Sequence, residues 1–365
     1  MINRSLKILG SAVLVATLAA CGSTSARIET SSTPTESATP EPVYLTAPLT
    51  GVQYLEGTNP YLALPAVMAK IDNTDSGRPQ LELNRADVVY VTRVEGGMTR
   101  LLSVWHSDMP EDIGPVRSVR PIDAAIIAPY SGIFIYSGGQ APFKKAAAAT
   151  GLHMADEDTE MDNDTYFRTD FKVAPWNLWF KARELQATHT EQPAPTTQFE
   201  FDASPTALTG EPIEKIDIKF NYTHSVWEPG SASFPWAASS EPAWLRTQDG
   251  EPHVEHPSGE QVRAKNVVVL ETESDNSFVD PKYGVIPKAK LENSTGVAHI
   301  FTDGYYLKAV WSKADIKSPI KLTTETGSAV KLAIGNTWVE IIDTAKVKFK
   351  TVKPEPVSES SETDN

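Results

Sequence analysis

Short runs of β-branched and aromatic residues, separated by turn residues, recur through the second half of this chain. Runs of this kind, bounded by Gly, Asp and Asn, are typical of strands rather than helices. They predict a mainly antiparallel β domain over residues 197–350. The runs are KIDIKFNY (215–222), VRAKNVVVL (262–270), GVAHIFTD (296–303), YYLKAVW (305–311), AVKLAI (329–334) and TWVEII (337–342).

The first half, residues 48–190, combines predicted strands with predicted helices. Val88–Val94 and Leu101–Trp105 are β-rich runs joined through a Gly-Gly pair, which is a hairpin signal. Pro121 opens an apolar stretch and suits the first helical position, because its φ is fixed and it has no N–H. Residues 142–150 are rich in Ala and Lys and predict a second helix. The predicted fold class is therefore α+β, or mixed α/β, with a mixed sheet flanked by helices, followed by the antiparallel β domain.

The N-terminus predicts export and lipid attachment. A short basic region precedes the apolar run Ile8–Ala20, which is too short to span a bilayer as a permanent helix. The run ends in Leu-Ala-Ala-Cys, which resembles a bacterial lipobox. We therefore interpret residues 1–21 as a lipoprotein signal peptide and Cys21, the only cysteine, as the acylated residue. Residues 22–47 and 351–365 lack an apolar pattern and are predicted to be a disordered tether and an acidic disordered tail.

Charge narrows the choice of partners. The chain holds 33 Lys and Arg against 47 Asp and Glu, a formal net charge of −14. No extended basic stripe is present, so nucleic acid is not an expected partner. Loss of the signal peptide also removes Arg4 and Lys7. Acyl chains, rather than attraction to anionic lipid, then hold so acidic a protein to the extracytoplasmic face of the cell membrane.

One segment, GPVRSVRP at residues 114–121, is locally basic in this acidic chain. Arg117 and Arg120 lie just before the predicted helix, where free N–H groups and the helix dipole favour an anion. Guanidinium groups bind phosphate and carboxylate through two parallel hydrogen bonds. Arg78 and Arg100 are candidates to join them in space. The sequence thus suggests an arginine site for an anionic ligand.

The same arginines have an alternative role in internal ion pairs, because acids are in excess. The candidate partners are Asp72, Asp87, Glu95 and Asp123. Asp72 and Glu95 also lie at predicted strand ends or turns, where they are candidates to hold a divalent cation beside a bound phosphate. No other cofactor is expected. Both roles stay open at this point.

A second glycine pair, Gly138 and Gly139, lies between a predicted strand and a predicted helix. Its backbone N–H groups are candidates for contact with an anion, and the alternative is a tight turn. The pair is not part of a P-loop, since no Gly-Lys-Ser/Thr follows it.

Neither the histidines nor the acidic run predicts a metal site, and no catalytic nucleophile is predicted. The histidines are scattered, and His253-x-x-His256 does not have the zincin spacing. The acidic run at 155–167 lacks the glycine that a calcium loop requires, so we interpret it as a solvated loop. No Gly-x-Ser-x-Gly is present, and there is no free catalytic cysteine. Five tryptophans of the second domain are predicted to be core residues rather than a sugar-stacking face; they are Trp227, Trp236, Trp244, Trp311 and Trp338.

Four blocks carry a family resemblance: residues 69–108, from AKIDN to WHSD, IGPVRSVRP, residues 251–270, from EPHVE to VVVL, and GNTWVEII. Together they resemble the bacterial lipoprotein family typified by YerB, known as DUF3048. The resemblance implies a membrane-anchored extracytoplasmic lipoprotein with two domains and no particular activity. The chain departs from the family pattern twice, with Tyr136-Ser137 and Trp176 where the family commonly has histidine.

Three hypotheses for function follow. In the first, the arginine cluster binds an anionic envelope polymer or its precursor. In the second, the chain is an envelope phosphotransferase or hydrolase. Its order of a strand, an arginine-containing turn and a Gly-Gly pair before a helix is similar to that of LytR-CpsA-Psr enzymes. That resemblance implies arginines that hold pyrophosphate and Asp72 or Glu95 as metal ligand. In the third, the protein is a scaffold. We rank binding or scaffolding above catalysis, because no nucleophile is recognisable and two family histidines are missing.

Overall fold

The computed structural model describes residues 41–160, 164–345 and 348–354. The predicted signal peptide with Cys21, most of the predicted tether and the tail beyond residue 354 lie outside the described residues. Residues 44–46, the end of the predicted tether, already pair as a strand with residues 53–55. Within the described ranges, no helix combines the length and apolar character needed to cross a membrane.

The described residues of the N-terminal half form ten strands and three α-helices, numbered in chain order. The strands are β1 (Tyr44–Thr46), β2 (Gln53–Leu55), β3 (Ala66–Asp72), β4 (Gln80–Leu81), β5 (Val88–Arg93), β6 (Thr99–Trp105), β7 (Gly132–Ile135), β8 (His153–Ala155), β9 (Tyr166–Arg168) and β10 (Leu178–Phe180). The helices are α1 (Asp123–Ile127), α2 (Ala141–Ala148) and α3 (Ala182–Thr188), with short 3₁₀ turns at Leu83–Arg85 and Glu95–Gly97.

In the described part of the C-terminal half, the regular elements are strands and one 3₁₀ turn at Thr206–Thr209. The strands are β11 (Glu200–Asp202), β12 (Glu211–Pro212), β13 (Lys215–Lys219), β14 (His224–Ala232), β15 (Glu241–Gln248), β16 (Glu251–Pro252), β17 (Glu255–His256), β18 (Arg263–Ala264), β19 (Asn266–Thr272), β20 (Ser274–Asp275), β21 (Val279–Asp280), β22 (Gly284–Val285), β23 (Lys288–Ala289), β24 (Ser294–Thr302), β25 (Tyr305–Lys313), β26 (Lys321–Thr323), β27 (Lys331–Ala333), β28 (Thr337–Asp343) and β29 (Lys348–Val352).

An 11-stranded mixed sheet combines strands from both halves, in the order β12-β25-β24-β19-β28-β5-β6-β3-β7-β8, with β26 paired to β25. The join is β28, which lies parallel to β19 on one side and to β5 on the other, with Val339 opposite Tyr90. Strands β5 and β6 form the predicted hairpin around Gly96 and Gly97, both at positive φ. The domain boundaries at 48–190 and 197–350 stay a prediction, while the sheet itself runs through both segments.

Both faces of this sheet are covered, which explains the nearly continuous apolar run of β19. Met68, Leu102 and Phe134 belong to the core cluster that also contains residues of α1 and α2. Alternate positions of the same strands belong to a second core cluster with residues of α3 and of a six-stranded antiparallel sheet, ordered β16-β15-β14-β13-β29 with β18 paired to β15. The predicted fold class is confirmed: a mixed sheet flanked by helices, with an antiparallel β region in the C-terminal half.

The burial of side chains confirms one prediction and corrects another. Trp227, Trp244, Trp311 and Trp338 are core residues as predicted, and Trp236 is half-buried. The interpretation of the acidic run as a solvated loop is wrong for Asp156 and Glu160, which are both buried. Asp156 Oδ1 accepts hydrogen bonds from the N–H groups of Asp158 and Thr159, and Oδ2 pairs with Lys144 at 2.8 Å. The charge of Asp156 is therefore compensated by contacts within the fold.

Candidate functional site

The GPVRSVRP segment lies across the ends of β3 and β7 and is fixed by backbone hydrogen bonds on both sides. The Arg117 N–H donates to the Lys70 carbonyl at 2.8 Å, and the Asp72 N–H donates to the Pro115 carbonyl at 3.0 Å. On the other side, the Ser137 N–H donates to the Arg117 carbonyl at 2.9 Å. The segment behaves as an extra strand between β3 and the residues after β7, which gives its arginine side chains defined positions.

Arg120 is fully engaged inside the fold. Its Nε donates to Glu95 Oε2 at 2.7 Å, and its Nη2 contacts the other carboxylate oxygen, so the pair is bidentate. Its Nη1 donates to the Val119 carbonyl at 3.0 Å. Both side chains are almost completely buried. This contact supports the internal ion-pair role for Arg120.

Arg100 lies beside this pair. Its Nη1 donates to the Ser118 carbonyl at 3.1 Å, and its Nη2 is 3.7 Å from Glu95 Oε1. Burial, followed by the nearby charge of Arg120, lowers the pKa of Arg100 to about 10. Burial alone would raise the pKa of Glu95, but the hydrogen bond from Arg120 and the charges of Arg100 and Arg120 outweigh it and lower that pKa to about 2. Glu95 is therefore the shared counter-charge of both arginines.

The low pKa of Glu95 predicts a specific loss of stability in acid. A carboxylate whose pKa is lower in the folded state stabilises that state above its unfolded pKa, and the contribution disappears as the pH falls through the folded pKa. The difference between 4.5 and about 2 corresponds to about 3 kcal/mol. As the pH falls from 5 to 2, the free energy of unfolding of the wild type should decrease by about 3 kcal/mol more than that of Glu95→Gln. Urea unfolding across this range measures it, with the exposed Glu228→Gln as control; equal pH profiles of wild type and Glu95→Gln would contradict the assignment.

A second buried pair lies beneath the first. Lys70 Nζ is 2.6 Å from Asp123 Oδ1 and donates to Thr92 Oγ1 at 2.9 Å. Asp123 Oδ2 accepts the Arg120 N–H at 2.6 Å. Burial lowers the pKa of Lys70, opposed by the charge of Asp123 and reinforced by those of Arg100 and Arg120. Asp123 thus connects the ammonium group below to the backbone of the arginine segment above.

This arrangement corrects the predicted role of the helix start. The helix begins at Asp123 rather than at Pro121 and spans only five residues. The backbone N–H of Arg120 is already satisfied by the carboxylate of Asp123. The carboxylate of Asp123, the first residue of α1, therefore accepts the backbone N–H of the turn before the helix, where an external anion was predicted to bind.

Arg117 differs from its neighbours because it is only partly engaged. Its Nε is 3.3 Å from Asp72 Oδ2, and 20% of its side chain is exposed. Its Nη1 is buried and has no hydrogen-bond partner within the described part of the chain. The guanidinium carbon lies 6.0 Å from the ring centroid of Trp176. A buried guanidinium N–H without an acceptor is unfavourable, so Arg117 is the donor of this cluster best suited to an added acceptor.

The remaining predicted site residues have other roles. Arg78 pairs with Asp249 at 3.0 Å and also contacts Asp75, rather than the other arginines. A Cβ on Gly139 would lie 2.5 Å from Val119 Cγ1, so this glycine allows the close approach of the arginine segment. Gly138 accepts the Val119 N–H through its carbonyl. The contacts thus favour the turn and packing role for Gly138 and Gly139.

The cluster as a whole keeps a small positive excess. Four cations lie together with three carboxylates, and all seven groups are buried except for the partly exposed Arg117. Among the described residues of this cluster, the cations outnumber the carboxylates by one, and the exposed part of the cluster belongs to Arg117. The cations are Lys70, Arg100, Arg117 and Arg120, and the carboxylates are Asp72, Glu95 and Asp123.

Comparisons with known proteins agree with this architecture. The models described as "Protein of unknown function (DUF3048)", N-terminal and C-terminal domain, match residues 49–195 and 220–339. The protein named "Putative lipoprotein YerB" of Bacillus subtilis (strain 168) is 25% identical over 307 residues, which cover 82% of this chain and 86% of the relative. The crystal structure of the YerB protein from Bacillus subtilis aligns with a TM-score of 0.67 at 22% identity, over 84% of this chain and 99% of that chain. At this identity the structural likeness shows a shared fold.

Proposed function

Because this chain belongs to the DUF3048 family, we propose that it is a membrane-anchored, extracytoplasmic lipoprotein that binds an anionic envelope ligand at Arg117. The lipobox-like sequence before Cys21 supports lipid anchoring, as does the lipoprotein name of the Bacillus subtilis relative. The ligand class is a wall polymer, or its precursor, that carries phosphate or carboxylate groups. These are the anions available outside the membrane.

The observation that carries the proposal is that Nη1 of Arg117, on a backbone fixed by hydrogen bonds, has no partner among the residues that the structure describes. An oxyanion placed against the exposed part of this guanidinium would balance the excess positive charge of the cluster, and a small rotation of the side chain would let it also accept from Nη1. The backbone that holds Arg117 is already fixed, so little ordering entropy opposes binding. Arg120 and Arg100 contribute by holding the segment in place and through their field, rather than through direct contact.

The two positions that depart from the family pattern both lie against Arg117. The Ser137 N–H donates to the Arg117 carbonyl, and the Trp176 ring faces the guanidinium. Neither residue carries a charge, so the positive charge at this point belongs to Arg117. The half-buried Trp176 ring also offers an apolar surface next to the cation, which suits a ligand that combines a sugar with an anionic group.

The same contacts give less support to a metal-dependent phosphotransferase. Asp72 Oδ1 accepts the N–H of Thr74 at 2.7 Å and its hydroxyl at 2.5 Å, while Oδ2 faces Arg117. Glu95 faces Arg120 and Arg100. Each carboxylate already has a cation beside it, and a divalent cation placed there would be repelled by those arginines.

A scaffold role is the second candidate, and a specific observation favours it. The Arg120–Glu95 and Lys70–Asp123 pairs are buried and connect the arginine segment, β3, the Gly-Gly hairpin and α1. Such a network fixes the relative position of several elements without any ligand. Under this alternative, Arg117 has the same structural purpose as its neighbours.

Titration of the soluble mature chain with polyprenyl phosphate, and in a second arm with a carboxylate-bearing wall glycan, distinguishes the two roles. We expect Arg117→Ala to weaken binding at least tenfold, because a charge-assisted hydrogen bond contributes about 1.5–3 kcal/mol. Arg183→Ala, at an exposed residue of α3 that contacts none of the residues around Arg117, is the matched control and should bind like the wild type. Equal affinity of the wild type and Arg117→Ala, with the fold of both intact, would refute the binding proposal and leave the scaffold role.

A further inference from the structure

Two histidines from separate elements lie ring on ring at the edge of the main sheet. His153 is on the edge strand β8, and His189 is the C-cap residue that follows helix α3. Their ring centroids are 3.6 Å apart, with an angle of 27° between the ring planes. The side chains are 26% and 19% exposed, so both residues are partly open to solvent.

A buried carboxylate completes the group. Glu160 is 1% exposed, and its Oε1 lies 3.4 Å from His153 Nε2. Its Oε2 accepts the hydroxyl of Thr165 at 2.9 Å. One ligand-type atom from each of His153, Glu160 and His189 lies within 4.8 Å of the other two. Within the described ranges, this is the one group of three or more such ligands that could hold a metal ion.

Two imidazoles and one carboxylate form a ligand set typical of zinc sites that keep an open position. Donor atoms about 2.0–2.2 Å from a tetrahedral ion lie about 3.3 Å from one another, so small side-chain shifts would bring these donors together. The lone pairs of two nearly parallel rings point side by side, and one ring must therefore turn for both to reach one ion. The partial exposure of His153 and His189 allows that rotation and leaves the fourth position to solvent.

Outer hydrogen bonds already orient two of the ligands. His189 Nδ1 lies 3.3 Å from Glu191 Oε1, which leaves Nε2 of that ring for coordination. The hydroxyl of Thr165 holds Glu160 Oε2, which leaves Oε1 on the side of His153. Metal-binding histidines and carboxylates are commonly held by such second hydrogen bonds, which fix the orientation of the ligand.

We propose that His153, Glu160 and His189 bind one zinc-type divalent cation with a solvent-facing fourth position. The ion replaces the hydrogen-bonded contact between His153 and Glu160 and links β8, the turn that follows it and the end of α3. A borderline-soft cation is favoured over calcium or magnesium, because two of the three ligands are imidazole nitrogens. This site is separate from the arginine cluster, and the proposal does not rest on the proposed function.

The test is a titration of tag-free soluble protein with Zn²⁺, followed by calorimetry. We expect one equivalent to bind and His153→Gln and His189→Gln each to weaken binding at least tenfold. We expect Glu191→Gln to weaken it about tenfold, the lower end of the range for an outer hydrogen bond. His224→Gln is the matched control, since His224 is also partly exposed and pairs with a single carboxylate, that of Asp217.

Thermal unfolding and spectroscopy provide two further readouts. At a hundredfold excess over Kd, Zn²⁺ should raise the Tm of the wild type and of His224→Gln by about 4 °C but not that of His153→Gln. Co²⁺ bound to the wild-type protein should give the intense visible bands of tetrahedral coordination, a result that does not depend on the folding of any variant. Absence of saturable binding by the wild type, or equal binding by His153→Gln, His189→Gln and wild type, would overturn the proposal.

Discussion

Replacement of Arg120 by alanine is expected to destabilise the protein by about 3–5 kcal/mol. The substitution removes both hydrogen bonds to Glu95 and leaves that buried carboxylate with only Arg100, whose Nη2 is 3.7 Å away. A buried charge that loses its partner keeps its full desolvation cost, which is why breaking such a pair costs more than the pair itself contributes. Urea unfolding at neutral pH measures the loss.

The double variant Arg120→Ala/Glu95→Ala separates the pair interaction from the loss of packing. If the stranded carboxylate causes most of the effect, the double variant loses clearly less than the sum of the two single variants. Arg168→Ala, in an exposed pair with Glu157, should change the free energy of unfolding by no more than about 0.5 kcal/mol. A loss below about 1 kcal/mol in Arg120→Ala would contradict the role of Arg120 as a buried ion-pair partner.

The elements of this fold could be predicted where the determining signal is local. The hairpin through Gly96 and Gly97 follows from two adjacent β-rich runs, and the core position of Trp227 and Trp338 follows from strand spacing. The predicted start of α1 was two residues too early, because a proline at 121 is equally compatible with the turn that precedes a helix. Local preference does not distinguish these two conformations.

The position of β28 could not be predicted, because it depends on pairing across the whole chain. Thr337–Asp343 reads as an ordinary strand, yet it enters the main sheet between β19 and β5 and pairs with residues about 250 positions earlier. The metal-type group was missed for the same reason. His153 and His189 come from different elements, so their approach leaves no spacing motif in the sequence.

The arginine site stays a prediction. Its residues Glu95, Arg100 and Asp72 do lie beside the GPVRSVRP segment. The sequence left open which arginine is engaged internally, since that depends on side-chain direction. Arg120 turns toward Glu95 in the hairpin. Arg117, three residues earlier, contacts Asp72 with one nitrogen, and its Nη1 has no partner in the described ranges.

Replacement of Asp123 by asparagine is expected to cost about 3–5 kcal/mol and to make stability rise with pH. The amide oxygen keeps the contact with the Arg120 N–H, but the amide nitrogen then faces the ammonium of Lys70. Lys70 would be buried near Arg100 and Arg120 without a counter-charge, so it would lose its proton in the folded state at a lower pH than in the wild type.

The sign of the pH effect follows from proton binding. A lysine whose pKa is lower in the folded state leaves the unfolded state with more bound protons, so the free energy of unfolding of Asp123→Asn should increase from pH 7 toward pH 10. The wild type should show a smaller increase, because Asp123 supports the charged form of Lys70. Addition of Lys70→Met to Asp123→Asn should restore most of the lost stability and abolish this increase, since an apolar side chain of similar length has no charge to bury. If the double variant were no more stable than Asp123→Asn, the loss would come from packing around α1 rather than from the unpaired ammonium group.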